Sequence, residues 1–363
     1  MDIPKISVIM ATYNHAAFVG KAIESVLAQK DVDFEFLIID DGSTDDTRDI
    51  ISKYDDERIK FFPNIVNQGA CVVTNFLIGL ARGEYIALLN SDDYWEGNDK
   101  LLIQSKYLDE NKNVGACFGK AQFIDKQAKP IIQSALPFGY VFEKENRSKG
   151  EWLRYFFEFG NCICHPTMLI RKKCYETLGA YNNRLRQLPD LDMWIRLVKE
   201  WDIYIFDKVF VNFRVMPGEN ASSQTTKNAI RTLNEHYLIA CHIFDNVKDI
   251  DLKNGFSDLI IKKECLNHSF YLRIESVLLL FTESRWLGRP YKMAALPKMA
   301  DLLNDNETRG ILKQEYNIDD IWFHNKMAEF DVLLPKLIAD VQSNKSKLAR
   351  FIKKYLPLKY IFK

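Results

Sequence analysis

Over its first hundred residues the chain alternates between two hydrophobic periods. Residues 5–11 (KISVIMA) form a short continuous apolar run of strand type, and residues 16–29 then carry Val19, Ala22, Ile23, Val26 and Leu27 at helical spacing. Residues 34–39 (FEFLII) predict a second buried strand and 45–54 a second helix; 59–62, 70–81 and 85–89 continue as strand, helix, strand. Strands that read as unbroken apolar runs, alternating with helices over short connections, predict a parallel sheet covered on both faces.

Further along, 100–110, 151–159, 172–178 and 190–199 read as helices, and 114–123, 167–171 and 203–215 as strands. Strand signals fade near residue 220. Helical spacing then dominates 225–244, 259–281, 291–303, 308–316 and 327–342. The pattern divides the chain into a strand-rich unit, residues 1–222, and a helical region, 223–363. The last stretch, 345–363, interleaves Lys347, Arg350, Lys353 and Lys354 with Leu348, Phe351, Ile352, Tyr355 and Leu356 and has no acid. It predicts a basic amphipathic helix up to Pro357, suited either to an anionic membrane surface or to docking on its own protein.

Composition narrows the classes. Of 363 residues 47% are hydrophobic, ample for a core, and 49 basic residues balance 49 acidic ones. No global basic field argues for nucleic acid. No apolar run approaches the ~20 residues that span a bilayer, and the start MDIPKISVIM does not have the form of a signal peptide. Seven irregularly spaced cysteines suit reduced thiols and a cytoplasmic protein.

Candidate chemistry sits at the ends of the predicted strands. Thr12-Tyr13-Asn14 follows the first, Asp40-Asp41-Gly42-Ser43 the second, and Asn90-Ser91-Asp92-Asp93 the strand at 85–89. In an open parallel sheet ligands sit outside the carboxyl ends of the strands, so the three clusters would converge. Any one of them alone is ordinary turn chemistry. Crowded carboxylates repel unless a cation relieves them, and hard oxygen ligands favour Mg²⁺ or Mn²⁺ shared with phosphate oxygens. The first strand–helix turn, ATYNHAAFVG, carries no G-x-G-x-x-G and no Walker sequence. A dinucleotide dehydrogenase or a P-loop NTPase is therefore disfavoured.

The segments SVIMATYNHAAFVGKAIESVLAQ, FLIIDDGSTDDT, NQGACVVTN and GEYIALLNSDDYW, in this order, resemble the inverting nucleotide-sugar glycosyltransferases of family two over about residues 5–215; MLIRKKCYETLGAYNNRL and LPDLDMWIRL are similar to the second half of that family's domain. The resemblance implies the GT-A fold, an α/β architecture with a Rossmann-like, mostly parallel mixed sheet and helices on both faces, here followed by the helical region. It implies nucleotide contacts from Ala11, Thr12, Tyr13, Asp40, Asp41, Asn67, Gly69 and Asp92, with Tyr13 stacked on the base and Asp41 accepting from it. A half-buried packing role is the alternative for Tyr13, and a loop-bracing role for Asp40.

It also implies a divalent cation, Mg²⁺ or Mn²⁺, at Asp92 and Asp93. Asn90 stands where the family usually has an Asp, and Pro189 where it has a Glu. The implied catalytic base is Asp190, with Asp192 as runner-up; at a helix start the dipole should favour the ionised carboxylate. An N-cap is the structural alternative for Asp190, and Arg196 is expected to brace a carboxylate. The implied activity is inverting transfer from a nucleoside-diphosphate sugar, UDP above others, to a glycan or lipid-linked acceptor in cell-surface polysaccharide or lipopolysaccharide assembly, peripheral to the inner face of a membrane. A sugar nucleotidyltransferase or a non-catalytic sugar-nucleotide-binding protein is the alternative.

Overall fold

The computed structural model describes residues 3–218, 225–282 and 288–329. In chain order the first part runs β1 (Ile6–Thr12), α1 (Val19–Leu27), β2 (Phe34–Asp40), α2 (Thr47–Ile51), β3 (Ile59–Pro63), α3 (Ala70–Leu80), β4 (Tyr85–Leu88) and β5 (Tyr94–Trp95). It continues with α4 (Lys100–Glu110), β6 (Val114–Ile124), α5 (Lys149–Phe159), β7 (Leu169–Arg171), α6 (Lys172–Leu178), α7 (Pro189–Glu200) and β8 (Asp202–Arg214). Helices follow: α8 (Thr226–Ala240), α9 (Asp249–Phe256), α10 (Ser269–Phe281), α11 (Gly288–Asn304), α12 (Asn306–Glu315) and α13 (Asp320–Glu329). The basic tail and most of the predicted helix at 327–342 lie outside the described residues.

The strands form one sheet in the order β3-β2-β1-β4-β7-β6-β8-β5. β3, β2, β1 and β4 are parallel; β7 runs antiparallel to both β4 and β6. The expected mixed, mostly parallel α/β sheet with helices on both faces is what forms. β2 shows why its sequence has no polar alternation: all seven residues are buried, Phe36 and Ile38 into one face and Leu37 and Ile39 into the other. On the first face α1 seals the sheet through Val19, Ala22, Ile23 and Val26, an i, i+3, i+4, i+7 stripe. On the second lie α3, α5 and α7, with Trp152, Phe156 and Trp194 fully buried.

That second face also receives the helical region. Ile239 of α8, Phe256 of α9, Leu279 of α10 and Tyr291 of α11 join the same hydrophobic cluster. The Phe157 ring of α5 stacks on Tyr291 with centroids 4.5 Å apart. α12 and α13 close a smaller cluster around Met299, Leu302 and Leu312.

Several boundaries differ from expectation for local reasons. The predicted helix at 259–281 begins only at Ser269, because the preceding residues form a tight turn with a short 3-10 segment at Lys263–Cys265. α9 and α13 are additional helices, and β5 is a two-residue strand too short to carry a period. The 203–215 signal is one strand. All seven cysteines are free thiols.

Candidate active site

Parallel register puts the predicted clusters on one edge. Thr12 pairs with Asp40 at the ends of β1 and β2. Ile9 pairs with Leu88, so the chain leaving β4 reaches Ser91 at the level of Thr12. The turns are then stitched together by side chains. Asn14 accepts from the Thr44 N–H and donates its own N–H to Ser43, both at 2.8 Å. His15 Nδ1 and Ser91 Oγ share a hydrogen bond of 2.7 Å. The pairing of His15 with Ser91 was not legible from sequence, because it spans 76 positions of chain.

The two adjacent acids after β2 face different tasks. Asp41 turns to the loop at 64–69 and accepts from Asn64 Nδ2 at 3.1 Å and from the Gln68 and Gly69 N–H groups at 2.8 Å. Asn67 and Gly69 are therefore set by Asp41. Gly42 makes the crossing: its φ is +82°, and a Cβ there would stand 2.7 Å from the Asn67 nitrogen. Asp40 is fully buried; one carboxylate oxygen accepts from Ser43 N–H at 3.0 Å and from Arg48 Nε at 2.6 Å. Its other oxygen, and the Thr12 hydroxyl beside it, have no hydrogen-bond partner among the described residues. Two orphaned buried oxygens at strand ends cost free energy unless a ligand or water meets them. Ala11 is half-buried behind them, and Tyr13 is 44% exposed, which leaves its ring face open at the rim.

At the end of β4, Asp92 is half-buried and Asp93 almost fully buried. Asp93 accepts from the Arg214 N–H at 2.7 Å and from Asn90 Nδ2 at 3.1 Å. Burial, then the charge of Asp92, pushes the Asp93 carboxyl well above the usual range. Arg214 Nε bonds the Asp92 carbonyl at 2.8 Å and fixes the turn. Among the described residues no group of three or more His, Cys, Asp or Glu gathers as a metal cluster. Two crowded carboxylates fit a hard cation that takes its other ligands from phosphate and water.

Asp190 lies in the first turn of α7. Its Oδ2 accepts from Asn161 Nδ2 at 2.5 Å and its Oδ1 from the Leu191 N–H at 2.8 Å. At a helix start the dipole favours the ionised carboxylate and a depressed pKa is expected. The structure reverses the direction: burial raises the Asp190 pKa to about 6, and the charge of Glu235 adds to it, against the lowering by the Leu191 and Asn161 bonds. The buried Cys164 thiol is pushed up by burial and then by the charges of Asp93 and Asp190. Asp192 points elsewhere. It pairs with Arg196 at 2.8 and 3.0 Å, and that guanidinium also donates to the carbonyls of Leu178, Gly179 and Ala180. His165 bonds the Tyr181 hydroxyl at 2.7 Å, packs on Trp194, and is held neutral by burial, with its pKa lowered to about 4.

Comparison with known proteins identifies the family. The model of Glycosyl transferase family 2 fits residues 7–178. An uncharacterized glycosyltransferase of Methanocaldococcus jannaschii is 31% identical over 255 residues, 68% of this chain and 84% of that protein. The putative teichuronic acid biosynthesis glycosyltransferase TuaG of Bacillus subtilis is 29% identical over 63% of this chain and 86% of its own. An uncharacterized glycosyltransferase of Rickettsia felis is 32% identical, but the chain spans only 36% of its length. Among solved structures, S. aureus TarS 1–349 in complex with UDP-GlcNAc aligns with a TM-score of 0.55 at 18% identity, over 84% of this chain and 87% of that one; at that identity the likeness concerns the fold. Through its archaeal relative, its family profile and its GT-A-like sheet, the chain belongs to glycosyl transferase family 2 and is a glycosyltransferase.

Proposed function

We propose that the chain moves a sugar from a UDP-linked donor to an acceptor hydroxyl with inversion at the anomeric carbon, in the assembly of a bacterial-type surface polysaccharide or lipopolysaccharide. The observation that carries this reading is Asp190: a half-buried carboxylate in the first turn of α7 that accepts from Asn161 Nδ2 and from the Leu191 N–H, with burial raising its pKa to about 6. A single poised base, with Asp192, the other acid of the turn, committed to Arg196, supports direct displacement, which inverts. The family membership favours the transferase over a nucleotidyltransferase.

In this mechanism the donor's nucleotide lies along the ends of β1 and β2. Tyr13 offers a ring face to the base, and the Thr12 hydroxyl and the free oxygen of Asp40 gain polar partners from the nucleotide. Asp41 acts through the 64–69 loop, shaping the backbone at Asn67 and Gly69. Asp190 takes the proton from the acceptor hydroxyl as its oxygen attacks the anomeric carbon opposite the diphosphate. Asp92 and Asp93 would hold Mg²⁺ or Mn²⁺, which would supply positive charge against the negative charge that grows on the leaving diphosphate.

UDP is supported by the complex of TarS with UDP-GlcNAc, and polysaccharide assembly by the teichuronic acid role named for TuaG. A thermal-shift screen of nucleotide sugars with and without Mn²⁺ tests the donor. Saturation at a hundred times Kd adds about 2.7 kcal/mol, so a UDP-sugar should raise Tm by several degrees and more than ADP- or GDP-sugars do. Equal shifts for all three would defeat the reading.

No helix among the described residues is long and apolar enough to cross a membrane. The basic, aromatic stretch at 345–363 supports a peripheral site at the cytoplasmic face of a membrane and a lipid-linked acceptor. Deleting 345–363 should abolish co-sedimentation with anionic vesicles while UDP-sugar hydrolysis in solution survives. Undiminished pelleting of the truncated protein excludes the tail as anchor.

A further inference from the structure

The turn that presents Asp190 is not held by the sheet alone. α8, the first helix after the strands, begins at a Thr225 cap whose side chain accepts from the Asn228 N–H. It buries Glu235, a charged residue only 3% exposed. That carboxylate accepts three consecutive backbone N–H groups: Arg186 at 2.9 Å on Oε1, and Gln187 and Leu188 at 2.8 Å on Oε2. These are the last three residues before α7, and Asp190 is its second residue. The next residue of α8, His236, lies against the other support of the base. A Cβ on Gly160 would come 3.6 Å from its Cε1, and Gly160 precedes Asn161, the side-chain donor to Asp190.

We propose that Glu235 is a positioning residue for the base: by clamping residues 186–188 it sets the height and orientation of Asp190, so the helical region supplies part of the catalytic machinery. This rests on Asp190 being the base. A buried charge that collects three backbone donors is stronger than a neutral acceptor would be, and it meets N–H groups that the start of a helix leaves without intrahelical partners. Its charge also acts on Asp190, raising the pKa of the base after burial has done so. The Cys71 and Cys164 thiols and the Tyr181 phenol, which also interact with Asp190, are pushed up by burial and therefore neutral at pH 7; Asp192 of the same turn is paired with Arg196, and Arg186 is one of the residues Glu235 clamps.

The test is Glu235→Gln and Glu235→Asp in the full chain, measured as UDP release from the UDP-sugar that gives the largest thermal shift. Gln keeps the size but offers one acceptor oxygen to three donors and no charge. Its kcat should fall tenfold or more with KM for the donor within about twofold, and the acid limb of its kcat/KM profile should move below the wild-type position. Asp keeps the charge but is one methylene shorter, so its kcat should fall while the limb stays near pH 6. A merely structural role would lower Tm and leave the limb unmoved in both variants. Wild-type kcat with an unmoved limb in Glu235→Gln overturns the proposal; if that variant does not fold, a wild-type kcat in Glu235→Asp does so. Full turnover in Asp190→Asn would remove the base, and this inference with it, whereas a dead Asp190→Asn beside an unaffected Glu235→Gln rejects the clamp alone.

Discussion

Asp190→Asn is expected to abolish sugar transfer while leaving UDP-sugar binding at wild-type strength. General-base catalysis contributes about 10²–10⁴-fold, and Asn cannot accept the proton, yet it keeps the shape that packs beside Asn161. The pH dependence of the wild-type enzyme follows from the same group. Transfer needs the ionised carboxylate, so kcat/KM should climb with pH through about 6 and level off above 7. Stability runs the other way. The folded pKa of about 6 lies above the ordinary 3.8, so the neutral carboxyl's contribution is fully present below about pH 4 and lost as pH rises through 6. Since Asn resembles the neutral form, Asp190→Asn should melt higher than wild type at pH 8, with an upper limit of about 1–3 kcal/mol, and the gap should close by pH 4. A variant that still turns over, or an acid limb near pH 4, would falsify the assignment of the base.

The same residue shows where sequence reading stops. Its position in a helix start was legible from LPDLDMWIRL, and the strand ends bearing Thr12, Asp40 and Asp92 were legible because parallel strands deliver their ends to one edge whatever the loops do. Helical periodicity located α4 and α6 to the residue. The direction of the Asp190 shift was not legible. It depends on how deeply the fold buries the carboxyl and on partners such as Asn161, 29 positions away in the chain. The division of labour between Asp40 and Asp41 was equally hidden: identical side chains at adjacent positions take different partners, one Arg48 and the other the N–H groups of the 64–69 loop. Glu235 gave no signal, since a lone Glu in an amphipathic helix looks like a solvated residue until its three backbone partners are known.

Removal of divalent cations carries the second large effect expected here. In EDTA, turnover should fall at least a hundredfold and return with Mn²⁺ or Mg²⁺, and calorimetry should find UDP bound more tightly when Mn²⁺ is present. Asp92 is the carboxylate to vary, because it is only half-buried, whereas Asp93 is almost fully buried and accepts from the Arg214 N–H and Asn90. Asp92→Asn, which keeps the size but not the charge, should lose the Mn²⁺-dependent gain in UDP affinity. Asn90 sharpens the test. Its Nδ2 donates to Asp93 at 3.1 Å, so a neutral donor stands beside the two acids. Asn90→Asp removes that hydrogen bond and sets three negative charges together. Without metal the variant should melt lower than wild type; with saturating Mn²⁺ the difference should shrink or reverse, because the added carboxylate strengthens the hold on a cation. If UDP uptake is the same with and without Mn²⁺ in wild type, and Asn90→Asp gains nothing from the ion, then Asp92 and Asp93 only shape the turn after β4. The charge on the leaving diphosphate must in that case be met by protein cations and backbone N–H groups.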